Sequence, residues 1–336
     1  MSKIARAVIF LLSALLSFFF IFAVKSQNDR NIAKLNSSSH RKTKKNPIDS
    51  FLNSLNDLPD AYSDSDCLAN FDLATTKIPK KSAIETTNHV SKIIHQSWKN
   101  NILPKKFVEW QNTWKVTHPD WEYKLWTDAD NDKLCETDFP WFLERYKSFP
   151  ENINRADVAR YMYMYKYGGV YADLDVVCLR SHEPLVPIGG AIVPLMRNMP
   201  FEGEGWKDEH DIPNAWMASE PGHPFWLYLL KHINSKDNNG QTEALSGPIV
   251  EWYALQEFEK TNTDPEAIIN YIAPGLIFPF DWRIWDHRRE LCYAQSPQFN
   301  ISACNSNYDL SKAFTITYWS HSWGDGDHLA NIEKLE

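Results

Sequence analysis

Apolar positions along this chain change their spacing in a way that divides it into regions. From Ala7 to Val24 they run on, interrupted by Ser13 and Ser17 alone. From Lys25 to about Asn88 large apolar residues thin out among Asn, Ser, Asp and Lys, with one weak amphipathic stretch at Ile48–Leu58. Beyond Val90, short apolar runs and three-to-four-residue periodicities take turns. Lys92–Trp98 (KIIHQSW) predicts a buried strand. Pro104–His118 predicts a helix with Phe107, Trp110, Trp114 and Val116 as its apolar positions. Trp121–Trp126 alternates and predicts a second strand, after which Asp128–Asp132 opens a turn that caps the next helix. Strands alternating with helices indicate an α/β sheet with parallel elements, and such sheets bind ligands beyond the carboxyl ends of their strands.

The most informative stretch is Asn154–Leu179, NRADVARYMYMYKYGGVYADLDVVCL. Ala156, Ala159, Met162, Tyr163 and Lys166 fall at helical spacing and predict a packing face. Asp157 and Arg160, three apart, neighbour each other on another face. Gly168 and Gly169 stop the helix. A strand over Val170–Val177 then sets Val170, Ala172, Leu174 and Val176 on one side, and Tyr171, Asp173, Asp175 and Val177 on the other. Two carboxylates on one face repel unless a cation or an Arg neutralises them, and both can reach one hard cation. The triplet itself is not specific, because Asp64/Asp66, Asp128/Asp130, Asp130/Asp132 and Asp325/Asp327 share it. The Asp128 run is no EF-hand loop: Lys133 stands at the glycine position and Phe139 at the bidentate Glu position.

Composition adds boundaries. The chain has 336 residues, 43% hydrophobic, 14% aromatic and with a formal net charge of −8, which suits one sizeable domain plus extras and argues against nucleic-acid binding. The Ala7–Val24 run is about 27 Å long as a helix, enough for a thin membrane. We read residues 1–6 as a cytosolic tail, 7–24 as a transmembrane signal anchor, 25–89 as a flexible stem and 90–336 as the globular domain; a cleaved signal peptide is the rival for the apolar run. Basic residues flank both ends of the run, so charge does not fix its orientation. The glycosylation acceptors Asn36 and Asn300 favour a lumenal body. In an oxidising lumen Cys292 and Cys304 could close a short loop, Cys178 reads as a buried thiol, and one of the five cysteines stays unpaired within the chain.

The run INRADVARYMYMYKYGGVYADLDVVCLRSHEPL resembles the sugar-binding region of glycosyltransferase family 32. KIIHQSWK, HPDWEYKLWTD, ASEPGHPFW (Ala218–Trp226), LSGP (Leu245–Pro248) and HSW (His321–Trp323) resemble other family segments in the same order, so the likeness covers about Val90–Trp323. The resemblance implies a GT-A nucleotide-diphospho-sugar transferase fold: a single Rossmann-like mixed sheet with flanking helices. It implies Mn²⁺ or Mg²⁺ on Asp173 and Asp175, with His321 approaching from the C-terminal side and Asp325 or His328 as substitutes. Asp157 and Arg160 would touch the donor's sugar or ribose, Trp98 would stack on its base, and Trp323 would close over the leaving group; His95 and Tyr171 are further donor-side candidates. The activity implied is retaining transfer of a sugar to a glycan or sphingolipid acceptor, with GDP-mannose favoured and UDP-galactose or UDP-GlcNAc as rival donors. It would take place in the Golgi or ER membrane, on a single-pass type II protein. A catalytically inactive lectin-like relative would also keep this fold. A dehalogenase-type phosphatase fits poorly, since its nucleophilic Asp follows the first strand, and here two strands and a Gly-Gly junction come before. Trp282, Arg283, Trp285 and Asp286 form an aromatic and charged cluster that could meet an acceptor or pack in the core.

Overall fold

In the computed structural model, residues 88–196, 212–283 and 287–320 are described, all within the unit Pro47–Glu336. The apolar run 7–24, the Ile48–Leu58 stretch, Trp285, Asp286, His321 and Trp323 lie outside the described residues. Among those described, no helix is long and apolar enough to cross a membrane.

The predicted strand–helix alternation is present. β1 (Ile93–Ser97) leads through α1 (Lys105–Thr117) to β2 (Glu122–Trp126), and the two strands pair in parallel. α1 buries Phe107, Trp110 and Trp114, three of the positions that its spacing selects. α2 (Asp128–Asp138) takes in the whole of the expected Asp128–Asp132 turn. Thr127 is its N-cap and closes a reciprocal capping box with Asp130, so these acids sit in the first helical turn, where the helix dipole favours them. The short α3 (Leu143–Ser148) leads to α4 (Asn152–Tyr167), and the Gly-Gly stop leads into β3 (Gly169–Ala172).

The predicted strand Val170–Val177 is in fact two. β3 ends at Ala172, Asp173–Asp175 form a turn, and β4 (Val176–Cys178) leaves in another sheet. Period two continues through the acids in the sequence, but Asp173 N–H bonds to the Ala215 carbonyl (2.8 Å) and Val176 N–H to the Asp173 carbonyl (3.1 Å), which closes the turn. The remaining strands are β5 (Ala191–Pro194), β6 (Trp216–Ser219), β7 (Ile269–Ile272) and β8 (Thr315–Thr317). The main sheet is six-stranded, in the order β2-β1-β3-β6-β5-β7, with parallel β2/β1/β3 and β5/β7 and antiparallel β3/β6 and β6/β5. β4 and β8 form a separate antiparallel pair, so the mixed sheet is not single.

α4 differs from a one-faced helix. Asp157 to Met164 are buried without interruption, and Lys166 is part-exposed and pairs with Asp138. The sheet lies on one side of it. α5 (Pro224–Asn234) lies on another, with α6 (Thr242–Leu245), and α7 (Pro248–Thr261) packs on both. Two further short helices, α8 (His287–Cys292) and α9 (Ile301–Asn305), are joined by the expected Cys292–Cys304 disulfide. Cys178 is a buried free thiol, as is Cys135.

The Gly-Gly junction is required by space. Gly168 and Gly169 have φ of +62° and +88°, and a Cβ on Gly169 would stand 2.4 Å from the Ile93 carbonyl oxygen of β1. Gly169→Ala is therefore expected to destabilise the fold by about 1–3 kcal/mol or more. Urea unfolding at pH 7 measures this, and an unchanged midpoint would contradict it.

Candidate functional site

The Asp173–Asp175 turn lies at the carboxyl end of β3, in the middle of the sheet, and its backbone is fixed from several elements. Gln96, fully buried on β1, donates to the Asp173 carbonyl (3.1 Å) and is itself held by the Tyr123 hydroxyl (2.8 Å). Trp114 of α1 donates its indole N–H to the Val176 carbonyl (2.7 Å). The turn is thus locked before any ligand arrives.

Its side chains are held as firmly. Asp173 Oδ1 accepts from the Tyr171 hydroxyl (2.6 Å) and faces Arg160 Nη1 at 3.4 Å. Asp175 Oδ2 accepts from both the backbone N–H (2.8 Å) and the hydroxyl (2.7 Å) of Ser320. Asp173 Oδ2 and Asp175 Oδ1 have no hydrogen bond from another described residue. A pair of uncommitted carboxylate oxygens is a donor set that suits a hard divalent cation.

Arg160 is the hub. Its guanidinium donates to the Asn214 carbonyl (2.7 Å), pairs with Asp157 at 3.3 Å and lies 4.7 Å from the Tyr171 ring centre. Asp157 in turn accepts from Asn214 (2.9 Å) and from the Ser246 hydroxyl (2.9 Å). At 4% and 5% exposure, Asp157 and Arg160 form a buried pair and not a solvated surface one. Gly247 has no room for a side chain, since a Cβ on it would stand 2.9 Å from the Glu243 Cα and 3.3 Å from Asp157 Oδ2.

Burial and charge set the titration. Burial pushes Asp157 and Asp173 up to about 6, against the pull of Arg160. Asp175 is raised too, by burial, with the Ser320 hydrogen bonds opposing. Arg160 is penalised by burial, but Asp173, Tyr171 and Asp157 more than restore its charge. At neutral pH two buried carboxylates therefore share one guanidinium.

The other predicted residues divide. Trp98, half-buried at the carboxyl end of β1, donates its indole N–H to the Ile102 carbonyl (3.2 Å) and packs edge-on against Phe107. His95 is corrected to a core residue. Trp126 donates to its Nδ1 (3.0 Å), so Nε2 carries the proton and donates to the Gly168 carbonyl (3.0 Å). With burial lowering its pKa to about 3, a 1%-exposed ring has neither charge nor a free nitrogen for a donor. Tyr171, 2% exposed, donates its hydroxyl to Asp173 and lies against the Arg160 guanidinium. His223 caps α5 by accepting from Phe225 N–H (3.3 Å), so its loop is a helix start. Arg283 folds onto Asp281 (3.0 Å) and Trp282 stacks on Tyr293.

Gln96, Asn214, Ser246 and Ser320 were not foreseen. Ser246 and Gln96 fall inside the quoted LSGP and KIIHQSWK segments, and Ser320 precedes His321; Asn214 carries no local signal. A second cluster, His118, Cys178 and His182, brings ligand-type atoms within 4.8 Å of one another. Its lone pairs are spent: His118 Nε2 accepts from His182 N–H (2.8 Å) and His182 Nε2 from the Trp216 indole (3.3 Å). We read it as a hydrogen-bonded support behind β4.

Residues 104–189 match the family described as glycosyltransferase sugar-binding region containing DXD motif, a span that contains Asp157, Arg160, Asp173 and Asp175. The chain is 43% identical to inositol phosphoceramide mannosyltransferase 3 of Schizosaccharomyces pombe, over 71% of this chain and 57% of that one. It is 35% identical to mannosyl phosphorylinositol ceramide synthase CSH1 of Saccharomyces cerevisiae, over 55% and 48%. It is 26% identical to the initiation-specific alpha-1,6-mannosyltransferase of Candida albicans, over 72% and 74%. The chain thus spans about half the length of the first two relatives. Among solved structures, the PaToxG glycosyltransferase matches at a TM-score of 0.36 and 18% identity over 52% of this chain and 71% of that one, a likeness too slight to build on.

Arg160→Met removes the partner of two buried acids and is expected to cost about 3–5 kcal/mol at pH 7. The loss should shrink at pH 5, where Asp157 and Asp173 take up protons. Urea unfolding at the two pH values checks this, and an equal loss at both would contradict it.

Proposed function

We propose that this protein is a metal-dependent retaining glycosyltransferase of GT-A type that moves mannose from GDP-mannose to a sphingolipid headgroup. The observation that carries the reading is the locked Asp173–Asp175 turn, with one carboxylate oxygen on each acid that takes no hydrogen bond from another described residue, next to the buried Arg160–Asp157 pair. Mannose and a phosphoinositol ceramide acceptor are supported by the names of the 43% and 35% identical relatives. A glycan acceptor is the alternative that the Candida albicans relative represents.

Asp173 and Asp175 would hold Mn²⁺ or Mg²⁺, with His321, the residue after Ser320, as a further ligand. When bound, such an ion neutralises charge on a departing nucleoside diphosphate. The protein's own residues do the rest. Tyr171 and Arg160 fix the Asp173 carboxylate, and Ser320 fixes that of Asp175, so no reorganisation is spent when the donor enters. Arg160 and Asp157, set by Asn214 and Ser246, form the polar floor towards the sugar or ribose. Trp98 offers a ring for the base, and Trp323 would close the far side. Retention by front-face attack of the acceptor hydroxyl needs no protein nucleophile, and none is assigned.

We also place the protein as a single-pass type II protein of the Golgi or ER, anchored by residues 7–24 with its domain lumenal. The Cys292–Cys304 disulfide and the exposed Asn300 acceptor support an oxidising, glycosylating compartment.

Membranes carrying the full chain should transfer mannose from GDP-mannose to inositol phosphoceramide, lose this with EDTA and regain it with Mn²⁺. Asp175→Asn should lower turnover at least about 100-fold with unfolding unchanged within about 1 kcal/mol. Transfer from UDP-galactose instead would replace the donor assignment. Near-normal, EDTA-resistant turnover in Asp175→Asn would overturn the metal role.

A further inference from the structure

Beneath the Asp157–Arg160 pair lies a carboxyl that the reaction above does not use. Glu251, in the first turn of α7, is 0% exposed, and among the described residues neither of its oxygens has a hydrogen-bond partner. The Tyr161 hydroxyl lies beside it but donates to the Ser246 carbonyl (2.8 Å) and accepts from Asn214 (3.2 Å). A buried ionised carboxylate without a donor is costly, and the neutral acid far less so. The electrostatic setting adds to this cost. Asp157, Asp173 and Asp175 all draw on the positive charge of Arg160, and an ionised Glu251 would be one more claimant on that guanidinium.

We propose that Glu251 is a positioning residue held as the neutral acid, and that its ionisation pulls Arg160 away from Asp173 and loosens the floor of the donor site. The role rests on the transferase reading, whereas the protonation state does not. Burial, with Asp157 adding to it and Arg160 opposing, pushes the Glu251 carboxyl up to about 8. The titratable and charged groups that act on it are Asp157, Arg160 and Tyr161 of α4. α5 meets α7 about two turns further along, where His232 pairs with Glu257 and Tyr228 packs on Phe258.

The folded protein thus keeps a proton that the unfolded chain releases near the ordinary value of 4.5. The resulting stabilisation is complete below that pH and is lost as pH rises towards about 8, by up to about tenfold in the unfolding constant per pH unit. Glu251→Gln keeps shape and neutrality and removes the proton.

The test is urea unfolding of wild type and Glu251→Gln at pH 5, 7 and 9, together with GDP-mannose turnover at the same pH values. The proposal expects the variant to gain stability over wild type as pH rises from 5 to 9. It also expects Glu251→Gln to keep its neutral-pH turnover within about threefold and to lose the wild type's decline at pH 9, with Glu251→Ala impaired at every pH. Parallel unfolding curves overturn the neutral-acid claim. Diverging curves with an unchanged alkaline decline in Glu251→Gln overturn the positioning role. Absence of turnover at any pH fails the transferase reading and the role together, while the unfolding comparison still decides the protonation state.

Discussion

One guanidinium organises this protein. Arg160 is buried, and its charge is shared between Asp157 on its own helix and Asp173 on the turn after β3. Without it, a carboxylate inside α4 and another at the sheet's end would each face burial with less compensation, at a cost of several kcal/mol apiece. The sharing also explains geometry. Arg160 lies over the Tyr171 ring, whose hydroxyl reaches Asp173, so strand, helix and turn meet at one point. Elements distant in the sequence converge there: Asn214 before β6, Ser246 before α7 and Ser320 after β8.

From that point the function follows by chemistry. The acids are held by donors that use one oxygen of each, and among the described residues no hydrogen bond reaches the remaining oxygens. On the function proposed above, those oxygens would hold the cation. The span 104–189 that matches a DXD sugar-binding region contains both acids and Arg160. The hydrogen-bonded His118–Cys178–His182 group shows the contrast. Its ligand-type atoms are close, yet its imidazole lone pairs are already used, and closeness alone does not make a metal centre.

Much of the fold is legible in the sequence because local rules suffice for it. The Lys92–Trp98 run, the spacing of Phe107, Trp110 and Trp114, and the Gly168-Gly169 stop each fix an element from a few neighbours. The site's acids and Arg160 are legible through spacing and family likeness. Long-range placement is what local patterns miss. His95 reads as a functional group in an apolar strand until Trp126 and Gly168 occupy both its nitrogens. The two-residue alternation runs through Asp173 and Asp175, yet the bond from Val176 N–H to the Asp173 carbonyl turns the chain out of the strand there. Asp157 and Arg160 look like a surface pair on a helical wheel, and their burial is decided by α5, α6 and α7, which come later in the chain.

The central claim is that Asp173 and Asp175, held apart from the rest of the acidic cluster by Arg160 and Ser320, bind a divalent ion together with a nucleoside diphosphate. Titrating Mn²⁺ into the purified full chain with GDP, and following the free-ion resonance by electron paramagnetic resonance, tests it most directly. The account predicts that wild-type protein removes free Mn²⁺ in proportion to its concentration when GDP is present, and that Asp175→Asn, with its fold intact, does not. Equal uptake by both proteins, or none by the wild type, would contradict it.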